Sequence, residues 1–308
     1  MTDTPTRDGI APDWIAVDWG TSNLRAWAMG ADGKVLAGAE SDEGMGRLAP
    51  DGFEPALLRL ITPWLAGNPP VLACGMVGSR QGWIEAPYRA VPCTPLDPAA
   101  LIAAPTSDPR LNVRIAPGLM QADPADVMRG EETQIAGALR LMPGYDGVFC
   151  LPGTHSKWVH VSAGEVVSFQ TFMTGELFGL LSTASVLRHG MQGAGWEEAA
   201  FDAAVSDALS RPERLAARLF SLRAQGLIAG LSPDGARARL SGLLIGMELA
   251  GAKPYWLGQP VTLIGAEKLS AAYARALAAQ GVAAGRLSVT DCTLAGLASP
   301  SPQTEGAR

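Results

Sequence analysis

An aspartate that ends an apolar run and is followed by small and hydroxyl-bearing residues is the first chemistry on offer: "WIAVDWGTSN", residues 14–23. Gly20, Thr21, Ser22 and Asn23 tolerate unusual dihedrals and so make a turn, longer than the two-residue loop a plain hairpin needs. A second polar turn, "LPGTHSKW" at 151–158, follows another apolar stretch and loosely echoes the first. Glu131 and Glu132, with Thr133, open a helical stretch where negative charge suits the helix dipole. No G-x-x-x-x-G-K-[ST] occurs, and no G-x-G-x-x-G follows a strand. A bound nucleotide would therefore have its phosphates cradled by the two turns, through backbone N–H groups and hydroxyls in the manner of a nest.

These residues need elements to position them. Residues 14–17 read as a buried strand and 24–29 as a second, alternating one, with a third at 34–41 reached through the turn at 30–33. Helical spacing runs over 53–65, disturbed at its end by Pro63. A buried strand at 71–74 opens into a Gly-rich loop, and the proline-rich 86–118 reads as irregular structure with at most one short helix. A helix over 131–142 follows, then a strand at 147–151 and a hairpin through Ala163-Gly164. Helices are predicted near 175–188, 197–209, 212–224 and 234–251, then a strand at 260–265, a helix ending at Gly281, one more strand and a closing helix. The boundary falls at 143–147, giving α/β domains of residues 1–146 and 147–308 with a ligand cleft expected between them.

Composition narrows the function. The chain has 308 residues, 47% apolar and 18% charged, enough to bury two cores. A net charge of −6 without clustered Lys and Arg argues against a nucleic-acid surface. Cys74, Cys93, Cys150 and Cys292 form no C-x-x-C pair, which fits free thiols in a reducing compartment. Neither a signal peptide nor an apolar run of about 18 residues is visible, so a soluble cytoplasmic protein is expected.

"DWGTSNLRAW" resembles the first phosphate hairpin of the actin, Hsp70 and sugar-kinase superfamily, "LPGTHSKW" its second, and "LIGAEKLSAAYARAL" at 263–277 its adenosine-site strand and helix. With "GMVGSRQGW", "DVMRGEETQ" and "TGELFGLLS", the ensemble is similar to the 2-dehydro-3-deoxygalactonokinases over residues 14–298. The resemblance implies a two-domain actin-like ATPase (ribonuclease H-like) fold with a nucleotide cleft between its domains. It also implies ATP-dependent phosphorylation of 2-dehydro-3-deoxy-D-galactonate at its terminal C6 hydroxyl, in galactonate breakdown. A phosphohydrolase of the same fold and a non-enzymatic nucleotide-gated scaffold or sensor are the alternatives.

The resemblance also distributes roles. Asp18 would hold Mg²⁺ through water, since that ion keeps several of its waters. Gly20, Thr21, Ser22 and Asn23 would wrap the terminal phosphates, with Gly153 and Thr154 completing the clamp. Lys157 reads equally as a phosphate or carboxylate contact and as a solvent-facing cation, and His155 more as the latter. Glu131 occupies the loop–helix junction where glycerol-kinase relatives carry their base, with Glu132 the runner-up. Arg80 corresponds to the arginine of those relatives that touches the polyol, and a guanidinium grips a carboxylate better than lysine does. Ser79 and Gln81 belong to the same loop, Glu176 and Arg129 are further candidates, and Gly265 and Ala266 would border the adenine. Trp83, Trp158 and Phe178 read as core rather than sugar platforms, and Leu243 and Met247 as ordinary core.

Overall fold

A computed structural model describes residues 10–298 and divides into two compact units. One comprises residues up to Tyr145, Ser162–Ser168 and the chain from Val289; the other comprises Asp146–Val161 and Phe169–Ser288. In the first, β1 (Trp14–Trp19), β2 (Leu24–Met29) and β3 (Val35–Ser41) form an antiparallel meander. Helix α1 (Phe53–Ile61) buries Phe53, Ala56, Leu57, Leu60 and Ile61 at helical spacing, and a 3₁₀ turn containing Pro63 ends it. The chain then enters β4 (Pro70–Gly75), parallel to β1. Short strands follow: β5 (Arg89–Ala90), β6 (Ile102–Ala103), β7 (Asn112–Ile115), β8 (Leu119–Gln121) and β9 (Asp126–Met128), before helix α2 (Glu131–Leu141).

The irregular reading of 86–118 is corrected here. The strand β7 is a parallel neighbour of β4 in a six-stranded sheet ordered β3-β2-β1-β4-β7-β6, while β5, β8 and β9 make a small separate sheet. Residues 112–115 do alternate, with Val113 and Ile115 buried, but four residues between prolines are the shortest alternation that signals a strand.

In the second unit, β10 (Gly147–Leu151), β11 (Ser156–Ser162) and β12 (Glu165–Phe172) are followed by helices α3 (Thr174–Thr183), α4 (Glu198–Ser210), α5 (Leu215–Ile228) and α6 (Pro233–Gly251). The single turn α7 (Lys253–Trp256), β13 (Val261–Ile264), α8 (Glu267–Ala278) and β14 (Gly285–Leu287) complete it. Its sheet runs β12-β11-β10-β13-β14. Both sheets therefore share one plan. Three consecutive strands lie side by side, and two later strands extend the sheet from the first of them, parallel to it, with β6 added antiparallel at the edge of the first sheet. This doubled plan is the two-domain actin-like α/β fold. The N-terminus of α6 shows how sequence fixes the helices: the Ser232 hydroxyl accepts the Gly235 N–H at 2.9 Å, Pro233 opens the first turn and Asp234 complements its dipole.

The final helix α9 (Val289–Leu297) groups with the first unit, where it packs on α2. The sequence division at 146/147 differs here, because α9 follows the second half in the chain. All four cysteines are free, and no helix among the described residues is long and apolar enough to cross a membrane.

Glycines set the approach of α2 and α9. A Cβ on Gly137 would lie 1.8 Å from the Cys292 carbonyl oxygen, and one on Gly296 2.0 Å from that of Thr133. Backbone atoms cannot retreat as a side chain can, so Gly137→Ala and Gly296→Ala should each lower stability by about 2 kcal/mol or more. Thermal unfolding should show Tm falling by at least about 4 °C in either variant; an unchanged Tm would contradict this packing.

Candidate active site

The strand β1 delivers Asp18 beside the first turn, and the turn's length sets its partner. Four residues between Trp19 and Leu24 put Asp18 directly opposite Arg25, and the Asp18 carboxylate accepts from Arg25 Nη2. Arg25 was not singled out in the sequence, although strand alternation and turn length together specify the pair. The turn closes through Gly20 N–H to Asn23 C=O, 2.9 Å, while the carbonyls of Gly20 and Thr21 accept from Met45 and Gly46 at 3.0 and 2.9 Å. With those carbonyls engaged, the N–H groups of Thr21, Ser22 and Asn23 have no acceptor among the described residues, and all three residues are exposed. Three consecutive open amides are the kind of donors an anion-binding turn requires.

The carboxylate pair reaches the same place through two glycines. Gly75, at the end of β4, has φ +92°; a Cβ there would stand 2.6 Å from the Trp19 carbonyl and 3.5 Å from Asp18 Oδ1. Gly130, with φ +99°, lies against Gly75, and α2 starts at the next residue. Both conformations belong to glycine. Glu131 is half-buried, and its Oε2 accepts the Arg129 N–H at 3.1 Å. Glu132 is fully buried, its Oε2 accepting from Gly130 N–H at 2.6 Å and its Oε1 from the Thr133 hydroxyl at 3.2 Å. Burial first, then the neighbouring charge of Glu131, push the Glu132 carboxyl up to about 8. The same apolar floor, with Asp18 and Glu132 beside it, raises the buried Cys74 thiol well above its usual range. Of the two carboxylates, only Glu131 meets solvent.

The loop after β4 carries the acceptor candidates. It folds back on itself, Trp83 N–H to Val77 C=O at 2.8 Å and Ala86 N–H to Gly78 C=O at 2.9 Å. Arg80 and Gln81 are exposed, and Arg80 makes no hydrogen bond or ion pair among the described residues. Ser79 is buried, its hydroxyl without a partner among the described residues. Trp83 stacks on Phe53 at 6.5 Å and meets Trp19 edge-on, as core.

In the second unit, the turn at 152–155 is held against α3. A Cβ on Gly175 would lie 2.3 Å from the Gly153 carbonyl, and Glu176 N–H donates to the Thr154 carbonyl at 2.9 Å. Glu176 also pairs with His155 Nε2 at 2.5 Å, which gives His155 a partner other than solvent. Lys157 is buried at 4% exposed and does not point to solvent; its ammonium donates to the His155 carbonyl at 3.4 Å. Beneath the turn lies a buried chain: Gly153 N–H to Ser156 Oγ at 3.5 Å, Ser156 Oγ with Tyr273 OH at 3.0 Å, and Tyr273 OH to Glu248 Oε2 at 2.6 Å. Trp158 Nε1 donates to the other oxygen of Glu248 at 2.8 Å, so Trp158 is core. Burial raises the Glu248 carboxyl, and these hydrogen bonds draw it back.

Gly265 packs on Pro152, and exposed Ala266 opens α8. Beside them is a cavity of about 880 Å³, whose lining includes Gly153, Thr154, Phe178, Trp196, Arg237 and Lys268. Arg237 lies over the Phe178 ring at 5.3 Å, so Phe178 is a cavity wall rather than deep core. Trp196, 47% exposed, had no signal in its Gly-rich surroundings. Leu243 is buried and Met247 half-buried, both as expected.

The Glu132 environment gives a pH signature. Its folded value near 8 lies above the ordinary 4.5, so between those values the folded chain holds a proton the unfolded chain has lost. Stability should therefore fall as pH rises through that window, by up to about 1.4 kcal/mol per pH unit. Glu132→Gln cannot ionise, so urea melts should show its stability relative to wild type rising between about pH 5 and 8. A constant difference would place the buried proton elsewhere.

Comparison with known proteins adds the family. The model of the 2-keto-3-deoxy-galactonokinases matches residues 18–299. The chain is 41% identical over 292 residues to a Rhizobium meliloti protein named "Probable 2-dehydro-3-deoxygalactonokinase", covering 92% of this chain and 95% of that one. It is 38% identical over 273 residues to the Escherichia coli 2-dehydro-3-deoxygalactonokinase, covering 87% and 90%. A crystal structure of a proposed 2-dehydro-3-deoxygalactonokinase from Sinorhizobium meliloti superposes with a TM-score of 0.87 at 39% identity, over 96% of this chain and 100% of that one. The chain thus belongs to the 2-keto-3-deoxy-galactonokinase family.

Proposed function

We propose that this chain transfers the γ-phosphoryl group of ATP to the terminal, C6 hydroxyl of 2-dehydro-3-deoxy-D-galactonate, giving the 6-phosphate and ADP in galactonate breakdown. The observation that carries the reading is the grouping in the first unit. An anion nest at Thr21–Asn23 follows β1, and the Gly75–Gly130 contact gathers a carboxylate at Asp18 and a solvent-reaching one at Glu131. Phosphoryl transfer asks for these parts: donors on the phosphates, a metal, and a carboxylate on the acceptor hydroxyl.

In this reading the amides of Thr21, Ser22 and Asn23, with Gly20 shaping the turn, hold the terminal phosphates. Glu131 takes the proton from the C6 hydroxyl as its oxygen bonds to the γ-phosphorus, and the bridging oxygen leaves with ADP. Glu132, uncharged at neutral pH in its buried site, supports the start of α2 rather than taking that proton. The donor set suits Mg²⁺: one partly exposed carboxylate, Asp18, beside the phosphate site, as this ion prefers with its remaining waters. Mg²⁺ would neutralise phosphate charge. In the second unit, Gly153 and Thr154 contribute to the phosphates, with Lys157 behind them as a buried cation. The cavity beside Gly265 and Ala266 takes the adenosine, with Trp196 as a face for the base. Glu176, paired with His155, holds the Thr154 carbonyl rather than substrate. Arg80, Gln81 and Ser79 form the acceptor loop; water as acceptor would not need the open guanidinium of Arg80, which favours kinase over phosphohydrolase. The cytoplasm supplies ATP and keeps thiols such as Cys74 reduced.

Coupled measurement of ADP release tests these roles. Glu131→Gln should lower kcat by about 10²–10⁴-fold while ATP affinity changes less than about threefold; turnover near wild type would move the base elsewhere. Trp196→Ala should raise the KM for ATP by about tenfold, the effect of losing a stacking face, with the KM for the sugar acid unmoved. The reverse pattern would remove the base from this cavity.

A further inference from the structure

Arg129 immediately precedes the Gly130–Glu131 junction and is 9% exposed. Of its guanidinium nitrogens, Nη2 donates to the Ala86 carbonyl at 2.8 Å. Nε and Nη1 are buried with no hydrogen-bond partner among the described residues. The Tyr88 ring covers the guanidinium at 4.4 Å and is itself 37% exposed. Gly78 lies on another side, where a Cβ would come within 2.9 Å of Nη1. Ser79, which follows Gly78 in the chain, is also buried with its hydroxyl unpartnered among the described residues. Glu131 uses Oε2 on the Arg129 backbone amide and Glu132 uses Oε2 on that of Gly130.

A buried guanidinium with unused donors is unfavourable unless an anion arrives to take them. Guanidinium is the group that best matches a carboxylate, through a planar set of donors. We propose that Arg129, with the Ser79 hydroxyl, is the specificity site for the carboxylate of the acceptor, reached when the Tyr88 ring swings aside. Arg80, exposed at the loop's tip, is left to the outer polar groups of the acceptor. This inference rests on the sugar-acid kinase reading and deepens it. It places the acid's negative end one residue from the junction that carries the base, so one short segment reads both ends of the acceptor.

The test compares 2-dehydro-3-deoxygalactonate with its neutral primary amide, in wild type, Arg129→Met, Arg129→Lys and Arg80→Ala, by kcat/KM and by calorimetric binding of the acid. Wild type should prefer the acid by about 100-fold or more, within reach of one charge-assisted contact. Arg129→Met should collapse that preference to within about threefold, chiefly through the KM for the acid, and Arg129→Lys should restore part of it. Arg80→Ala should keep the preference. An Arg129→Met enzyme that still prefers the acid, or that loses both substrates in proportion, overturns the proposal, the second outcome showing a merely structural residue. Should Arg129→Met not fold, a lysine variant with undiminished acid preference overturns it equally. If wild type turns over neither compound yet binds the acid in an Arg129-dependent way, the kinase reading fails and the carboxylate site stands.

Discussion

Two backbones that touch through glycine govern the first unit's chemistry. The strand β4 turns at Gly75 so close to the end of β1 that any side chain there would strike the Trp19 carbonyl, and Gly130 closes on Gly75 from the start of α2. Asp18 lies far in sequence from the Glu131–Glu132 pair; this contact brings the end of its strand against the start of theirs. It also buries Glu132, whose carboxyl is pushed up to about 8, and leaves Glu131 at the margin where it meets solvent. One is the proton acceptor of the proposed reaction, the other part of the wall that supports it. Helix α9 reinforces the arrangement from the other side of α2, again with glycine at the closest points.

The second unit solves a related problem by hydrogen bonding. Its turn is held from below by the Glu248–Tyr273–Ser156 chain and from the side by Gly175 and Glu176 on α3. A buried carboxylate that receives donors from Trp158 and Tyr273 ties α6, β11 and α8 to one point. Such rigidity would let the turn's backbone groups meet the phosphates of the proposed reaction without reorganising.

Much of this was legible in the sequence because it is local. Apolar alternation and Gly20–Asn23 gave the first hairpin, and the same pattern gave its echo at 147–161. The run at 53–65 showed both its helix and its proline-disturbed end. What could not be read depends on distant backbone. The strand β7 offers only one four-residue alternation between prolines, and pairing with β4 fixes it as a strand. Nothing near α9 says that it returns to α2. The difference between Glu131 and Glu132 arises from burial, which consecutive letters do not encode. Lys157 shows the same limit: its place in a polar turn left a ligand contact and a solvent-facing cation equally open, and β11 carries it into the interior. Arg25 is the opposite case, a partner that strand register already specified.

In the proposed reaction the turn after β1 and the carboxylate at the start of α2 act together. A crystal structure of the protein with Mg²⁺, a non-hydrolysable ATP analogue and the sugar acid tests it most directly. Phosphate oxygens should lie on the amides of Thr21, Ser22 and Asn23, and the acceptor's terminal hydroxyl within about 3 Å of the Glu131 carboxylate. Phosphates bound away from those amides, or a hydroxyl facing any other side chain, would contradict it.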